Sequence, residues 1–180
     1  MITVIPTLFD GILFRSRLEA RWACFYKTLG IKYSYEHEGY QGLNGIRYLP
    51  DFYIEHLDCF IEIKGQVPNP KEEEKAKFLS DGLDKNVYIF FGGFPHIRDV
   101  DNFESDSATK FSPKCGWDNY YKWCECEQCG FLGIEYMARS HRLNCKCKQE
   151  RVAKFDDKGY NGLSNKLIRA YDKAINERFD

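Results

Sequence analysis

The six residues Asn86-Val-Tyr-Ile-Phe-Phe91 constrain this chain most. Five of them are apolar, and Gly92-Gly93 ends the run. A strand with no polar face is buried on both sides, so the fold needs a layer of structure above and below it. Pro70 to about Leu83, just upstream, reads as an amphipathic helix, and two further strands, Ile46–Ile54 and Cys59–Gly65, precede it around a short turn at 55–58. Ser16 to Leu29 carries Leu18, Trp22, Phe25 and Leu29 at helical spacing, with Ser16 as cap and Gly30 as stop. Before it, Asp10-Gly11 between two apolar triplets predicts a tight type I′ hairpin. Ile31 to His37 reads as a strand. Ser164 to Phe179 predicts a last helix with Leu167, Ile168, Tyr171, Ala174, Ile175 and Phe179 on one stripe, packing on the core or on a partner. Helices and strands in this order make an α/β chain.

Composition sets the class. The chain has 180 residues, 43% hydrophobic and 29% charged, as in soluble globular domains. No apolar run approaches the ~18 residues of a membrane span, and no secretory signal is evident, so no membrane partner and a cytoplasmic location are expected. The net charge of −1 excludes a uniformly basic coat, though not a local patch. From 139 to 154, Arg139, Arg142, Lys146, Lys148, Arg151 and Lys154 face one acid, Glu150. The first five of these basic residues are candidates for gripping a DNA backbone. The acidic run Glu72–Glu74 reads as a solvated helix face.

The strand Cys59–Gly65 carries the chemistry. Alternation puts Ile61 and Ile63 on one face, toward a core, and Phe60, Glu62 and Lys64 on the other. With the turn centred between His56 and Leu57, facing residues sum to 113, and Asp51 then lies opposite Glu62. Two like charges directly opposed are unfavourable on a sheet unless a hard cation such as Mg²⁺ takes both. Lys64, two residues on, can act on a water or neutralise charge on a phosphate. The competing reading is a surface hairpin with a weak Glu–Lys ion pair, worth about 0–1 kcal/mol.

Leu49-Pro50-Asp51-Phe52 and Phe60-Ile-Glu62-Ile-Lys64-Gly65 resemble the Pro-Asp…Glu-x-Lys signature of the PD-(D/E)xK nuclease superfamily. Phe14-Arg-Ser-Arg-Leu-Glu19-Ala-Arg-Trp22 resembles the first helix of small members found in phages and mobile elements. The likeness spans roughly residues 7 to 92, including the order helix, strand, hairpin, helix, strand. It implies a restriction-endonuclease-like core, a mixed sheet flanked by helices. It implies a Mg²⁺- or Mn²⁺-dependent deoxyribonuclease, probed best as an endonuclease. Asp51, Glu62 and the Ile63 carbonyl would hold the ion, and Lys64 would act on the water. Glu19 matches the helix glutamate that joins the site in such members, although Ser16-x-x-Glu19 is also a capping-box pattern. The rival classes are a catalytically silent DNA-binding or assembly protein and an RNA nuclease.

Five of the eight cysteines crowd into residues 124–147. Cys126-x2-Cys129-Gly130, then Cys145-x-Cys147 after fifteen residues, approaches the spacing of a tetrahedral Cys₄ zinc ribbon. The second half departs from C-x2-C, so Cys124 and His141 stand as alternative ligands. Four sulfurs close the coordination sphere, which makes such a zinc structural. Cys24 and Cys59 read as core residues. Trp117, Tyr120, Tyr121 and Trp123 read as packing for the zinc module rather than as a base-stacking platform. His37, His56 and His96 have no metal-ligand spacing. The expected organisation is a nuclease core over 1–100, an irregular connection over 101–122, a zinc ribbon over 123–150 and a C-terminal helix within 151–180. A homodimer or partner protein fits the apolar stripe of that helix.

Overall fold

The structure is a computed structural model, and it describes residues 4–42, 45–95, 108–147 and 163–179. His96, Lys148 and Arg151 lie outside the described residues.

The chain opens with the hairpin β1 (Thr7–Phe9) and β2 (Ile12–Phe14). Asp10 and Gly11 have φ of 52° and 79°, the left-handed pair that a type I′ turn requires. Helix α1 (Arg17–Leu29) follows, capped by the Ser16 side chain on the Glu19 N–H and closed by Gly30. β3 (Tyr33–Tyr35) leads to a small ladder of β4 (Tyr40–Gln41) and β5 (Arg47–Tyr48). The strand expected over Ile46–Ile54 is therefore two strands. Pro50, which cannot donate to a ladder, separates β5 from β6 (Phe52–Ile54). A 3₁₀ turn over Glu55–Leu57, with Asp58 left-handed, joins β6 to β7 (Cys59–Lys64).

Helix α2 (Pro70–Leu83) starts on an Asn69/Glu72 capping box with proline in its first turn, and β8 (Val87–Phe91) lies parallel to β7. β9 (Ala108–Phe111), β10 (Trp117–Glu125) and β11 (Leu132–Tyr136) continue antiparallel, giving a mixed seven-stranded sheet in the order β11-β10-β9-β8-β7-β6-β3. Residues 101–122 were expected to form an irregular connection. Of these, 101–107 lie outside the described residues, and 108–122 supply β9 and more than half of β10. β10 and β11, which flank the first cysteine pair, belong to the main sheet. A bulge between Asp118 and Tyr121 breaks the period-2 pattern there, which hides the strand from a periodicity reading.

Both faces of the sheet are covered, as the apolar β8 demands. One face carries α1 and α3 (Asn165–Asn176), with Ile61, Ile63, Phe90, Phe25 and Tyr171 in a shared core. The other carries α2, with Phe60, Ile89, Ala76 and Leu79. The stripe on α3 is spent inside the chain, because Leu167, Ala170, Tyr171 and Ala174 are buried and Tyr171 lies 4.4 Å from Phe25, ring to ring. Arg21 of α1 donates to the carbonyls of Ala174 and Ile175, closing the end of α3.

Past its bulge, β10 brings Trp123 onto α1, with ring centroids 6.0 Å from Phe25 and 5.8 Å from Tyr26. Trp123 is wholly buried, whereas Trp117 and Tyr120 of the same cluster are exposed. The packing role expected of this cluster thus falls to Trp123 and, in part, Tyr121. Trp123→Ala is expected to cost about 3–5 kcal/mol of stability by leaving a cavity, which urea unfolding would read. A loss under 1 kcal/mol would mean that β10 does not hold the sheet to α1. Among the described residues, no helix is long and apolar enough to cross a membrane.

Candidate active site

The β6–β7 register places Phe52 opposite Ile61 and Ile54 opposite Cys59, so facing numbers sum to 113 as the turn predicts. Asp51, one residue before β6, comes to the Glu62–Ile63 end of β7, and its Oδ2 accepts the Ile63 N–H at 2.7 Å. The expectation that Glu62 and Lys64 point away from a core needs correction. Their face is covered by α2, so Asp51 is 2% exposed and Glu62 5%.

Asp51, Glu62, Ile63, Lys64 and Glu19 line one polar cleft of ≈ 410 Å³ together with Arg15, Arg47, Tyr48 and Glu72. All four carboxylate oxygens of the pair are held by protein donors. Arg15 Nη2 donates to Asp51 Oδ1 at 2.8 Å, and Ile63 takes Oδ2. Lys64 Nζ lies 2.7 Å from Glu62 Oε1, and the Tyr48 hydroxyl donates to Oε2 at 3.1 Å. Burial first, then the charges of Glu62 and Glu19, raise the Asp51 carboxyl well above the ordinary carboxylate range, despite the Ile63 N–H and Arg15. Burial pulls the Lys64 ammonium down, but Glu62, Asp51 and Glu72 outweigh it and hold it above its ordinary value.

Glu19 is 7% exposed and sits between two hydroxyls. Ser16 Oγ donates to its Oε1 at 2.6 Å and Tyr35 to its Oε2 at 2.5 Å. Its carboxylate meets the Ser16 side chain instead of the Ser16 backbone, so only half of the capping box forms. Glu72, expected on a solvated face, caps α2 through the Asn69 N–H and lies 3.4 Å from Lys64 Nζ. Arg15, Tyr48 and Glu72 line the cleft, Tyr35 supports it through Glu19, and local spacing did not reveal them. Arg15 and Asp51 are 36 positions apart, so only the fold joins them.

Among the described residues, Cys126, Cys129, Cys145 and Cys147 form the one group of three or more such side chains whose ligand atoms all lie within 4.8 Å of one another. These four sulfurs could hold one metal ion such as zinc. Cys124 and His141, the alternative ligands, are not in the group. The first pair sits on a knuckle. Cys126 N–H donates to the Phe131 carbonyl and the Gly130 N–H to the Cys126 carbonyl, both at 2.8 Å, with Gly130 left-handed at φ 69°. The Phe131 N–H first, then Cys147, hold the Cys129 thiol below its ordinary value, while Cys129 pushes Cys147 up. Deprotonated together as ligands, four thiolates this close would repel one another, and a bound cation such as zinc would offset that charge. His56 ties the segment to the hairpin turn, with Nε2 2.9 Å from the Leu132 carbonyl. No three of the four carboxylates of the polar cleft, in contrast, converge to this degree.

Comparison with family models, curated proteins and solved structures gave no match. The cleft's chemistry therefore rests on its own residues. Of the basic residues expected to grip DNA, Arg142 and Lys146 are exposed. Arg139 is half-buried over the Tyr136 ring, 5.4 Å from its centroid, which leaves it less available.

Proposed function

We propose that this chain is a metal-dependent deoxyribonuclease of the PD-(D/E)xK kind, on a restriction-endonuclease-like core, and acts as an endonuclease. The observation that carries the reading is the buried Asp51–Glu62 pair across one hairpin, with Lys64 on Glu62, in a polar cleft. The donor set fits a hard divalent cation. Asp51, Glu62 and the Ile63 carbonyl are oxygen ligands of the type that Mg²⁺ and Mn²⁺ take, and Arg15 and Lys64 hold the charge that a bound ion would offset. When bound, such an ion supplies Lewis acidity toward a phosphate and steadies the charge of the leaving oxygen.

The chain's own residues do the rest. Lys64 positions the attacking water and faces the negative charge growing on the phosphoryl oxygens. The water oxygen bonds to phosphorus as one P–O ester bond breaks; a water proton leaves to solvent, and solvent protonates the departing oxygen. Glu19, held by Ser16 and Tyr35, adds a fixed negative charge to the wall of the cleft. A zinc on the four sulfurs would be structural, with no position open for substrate.

The reading is tested by incubating the protein with plasmid, linear and branched DNA and with RNA, in Mg²⁺ and in chelator. Mg²⁺-dependent cutting of DNA supports it, and cutting of RNA alone replaces it with an RNA nuclease. One observation favours a second reading: Arg15, Ile63, Lys64 and Tyr48 already satisfy all four carboxylate oxygens. A catalytically silent DNA-binding protein would look the same, and binding without cutting in any condition would select it. If Arg142 and Lys146 each meet a phosphate, reversing both to glutamate should flatten the log–log salt dependence of DNA binding by about 2. An unchanged slope would remove them from the interface.

A further inference from the structure

Arg15 holds the one oxygen of Asp51 that the backbone leaves open. Its Nη2 donates to Oδ1 at 2.8 Å, while Oδ2 is fixed by Ile63. On its other side, Nε lies 2.6 Å from Glu36 Oε1, close but not aligned as a hydrogen bond. The Arg15 side chain is 55% exposed and lines the cleft, so its guanidinium stands between the buried carboxylate and solvent. The backbone is held apart from the Asp51 contact, because the Arg15 N–H donates to the Tyr35 hydroxyl, which donates on to Glu19. The side chain can therefore leave Asp51 without disturbing the start of α1.

Resting on the nuclease reading, we infer that Arg15 is a substrate-binding residue linked to the metal: it neutralises Asp51 until a divalent cation takes Oδ1, then turns to a phosphate of the nucleic-acid backbone. Two cations cannot both sit against Oδ1 at close range without repulsion. The displaced guanidinium keeps the poorly aligned Glu36 and the Tyr35 hydroxyl, and a planar fork with five donors suits a phosphate better than either. Metal and phosphodiester would then favour each other's binding, because each removes what the other would have to displace. The free cleft would be electrically settled without metal, and loading it would expose a phosphate-binding arginine at its mouth.

The experiment uses the full chain with Mn²⁺ titrated calorimetrically, and a DNA oligonucleotide titrated with and without Ca²⁺ as a non-cleaving ion. In Arg15→Ala, Mn²⁺ should bind tighter by about three- to tenfold, since no resident cation competes. The oligonucleotide should bind about tenfold more weakly when Ca²⁺ is present, the loss of one charge-assisted contact. Without metal, its affinity should be unchanged. Arg15→Lys should recover part of the oligonucleotide affinity, because it keeps the charge without the fork. A purely structural arginine would give the opposite sign: Mn²⁺ would bind more weakly once Asp51 is left loose. Weaker or unchanged Mn²⁺ binding in Arg15→Ala, or equal loss of oligonucleotide affinity with and without Ca²⁺, overturns the inference while the nuclease reading stands. Failure of the unaltered chain to bind Mn²⁺ at the carboxylates overturns both.

Discussion

Glu62→Gln and Lys64→Ala are each expected to lower Mg²⁺-dependent DNA cleavage by on the order of a thousandfold, the scale of losing one charge aimed at the transition state. The two variants should differ in stability, and the difference makes the prediction specific. Glu62 is buried and shares its surroundings with Asp51, so removing its charge relieves a repulsion that the fold otherwise carries. Glu62→Gln keeps the shape and a hydrogen-bond acceptor for Tyr48, and Lys64 keeps Glu72, so without added divalent metal it should unfold at the same temperature as the unaltered chain or higher. Lys64→Ala leaves Glu62 without its cation and should unfold lower. Urea or thermal unfolding measured beside the cleavage rate reads both. Cleavage that survives in both variants would remove the hairpin from the reaction.

Stripping the metal from the four cysteines carries the second large effect. Zinc bound by four thiolates is worth about 10–16 kcal/mol in small zinc modules, comparable to the ~5–15 kcal/mol total stability of a domain. The loss should not stay local. The first cysteine lies directly after β10, whose Trp123 is wedged against α1, and Leu132 at the start of β11 is tied to His56 of the hairpin turn. A strong chelator, or Cys126→Ser with Cys129→Ser, is therefore expected to lower the unfolding temperature by about 10–20 °C, as a loss near 5 kcal/mol would in a chain this long. Elemental analysis should find one zinc per unaltered chain and none in the double variant. Equal metal content in both, or an unchanged unfolding temperature after stripping, would mean that the sulfurs meet without holding an ion.

Local chemistry was legible wherever neighbours in sequence are neighbours in space. Asp10-Gly11 specified its turn, Ser16 its cap, and Asn86–Phe91 a strand needing cover on both faces. The sum-113 register followed from the length of one turn, and it brought Asp51 to Glu62. The cysteine spacing likewise selected the four sulfurs that meet. What stayed hidden depends on distance along the chain or on broken periodicity. Arg15 reaches Asp51 only because α1 and the hairpin pack together. β10 escaped notice because its bulge shifts the alternation mid-strand. Glu72 looked like one of three solvated acids, and only the docking of α2 over β7 brings it near Lys64. The two-sided burial of the sheet also turned a surface pair into a buried one, with Arg15 and Lys64 as the cations of Asp51 and Glu62.

A crystal soaked in Mn²⁺, with diffraction recorded on both sides of the manganese edge, tests the central claim most directly. The account predicts an anomalous peak between Asp51 Oδ1 and Glu62, near the Ile63 carbonyl, with Arg15 turned away from Asp51. A second peak, at the zinc edge and not the manganese edge, should sit among the four sulfurs. Saturating Mn²⁺ with no density at the carboxylates, and Arg15 still on Asp51, would contradict it.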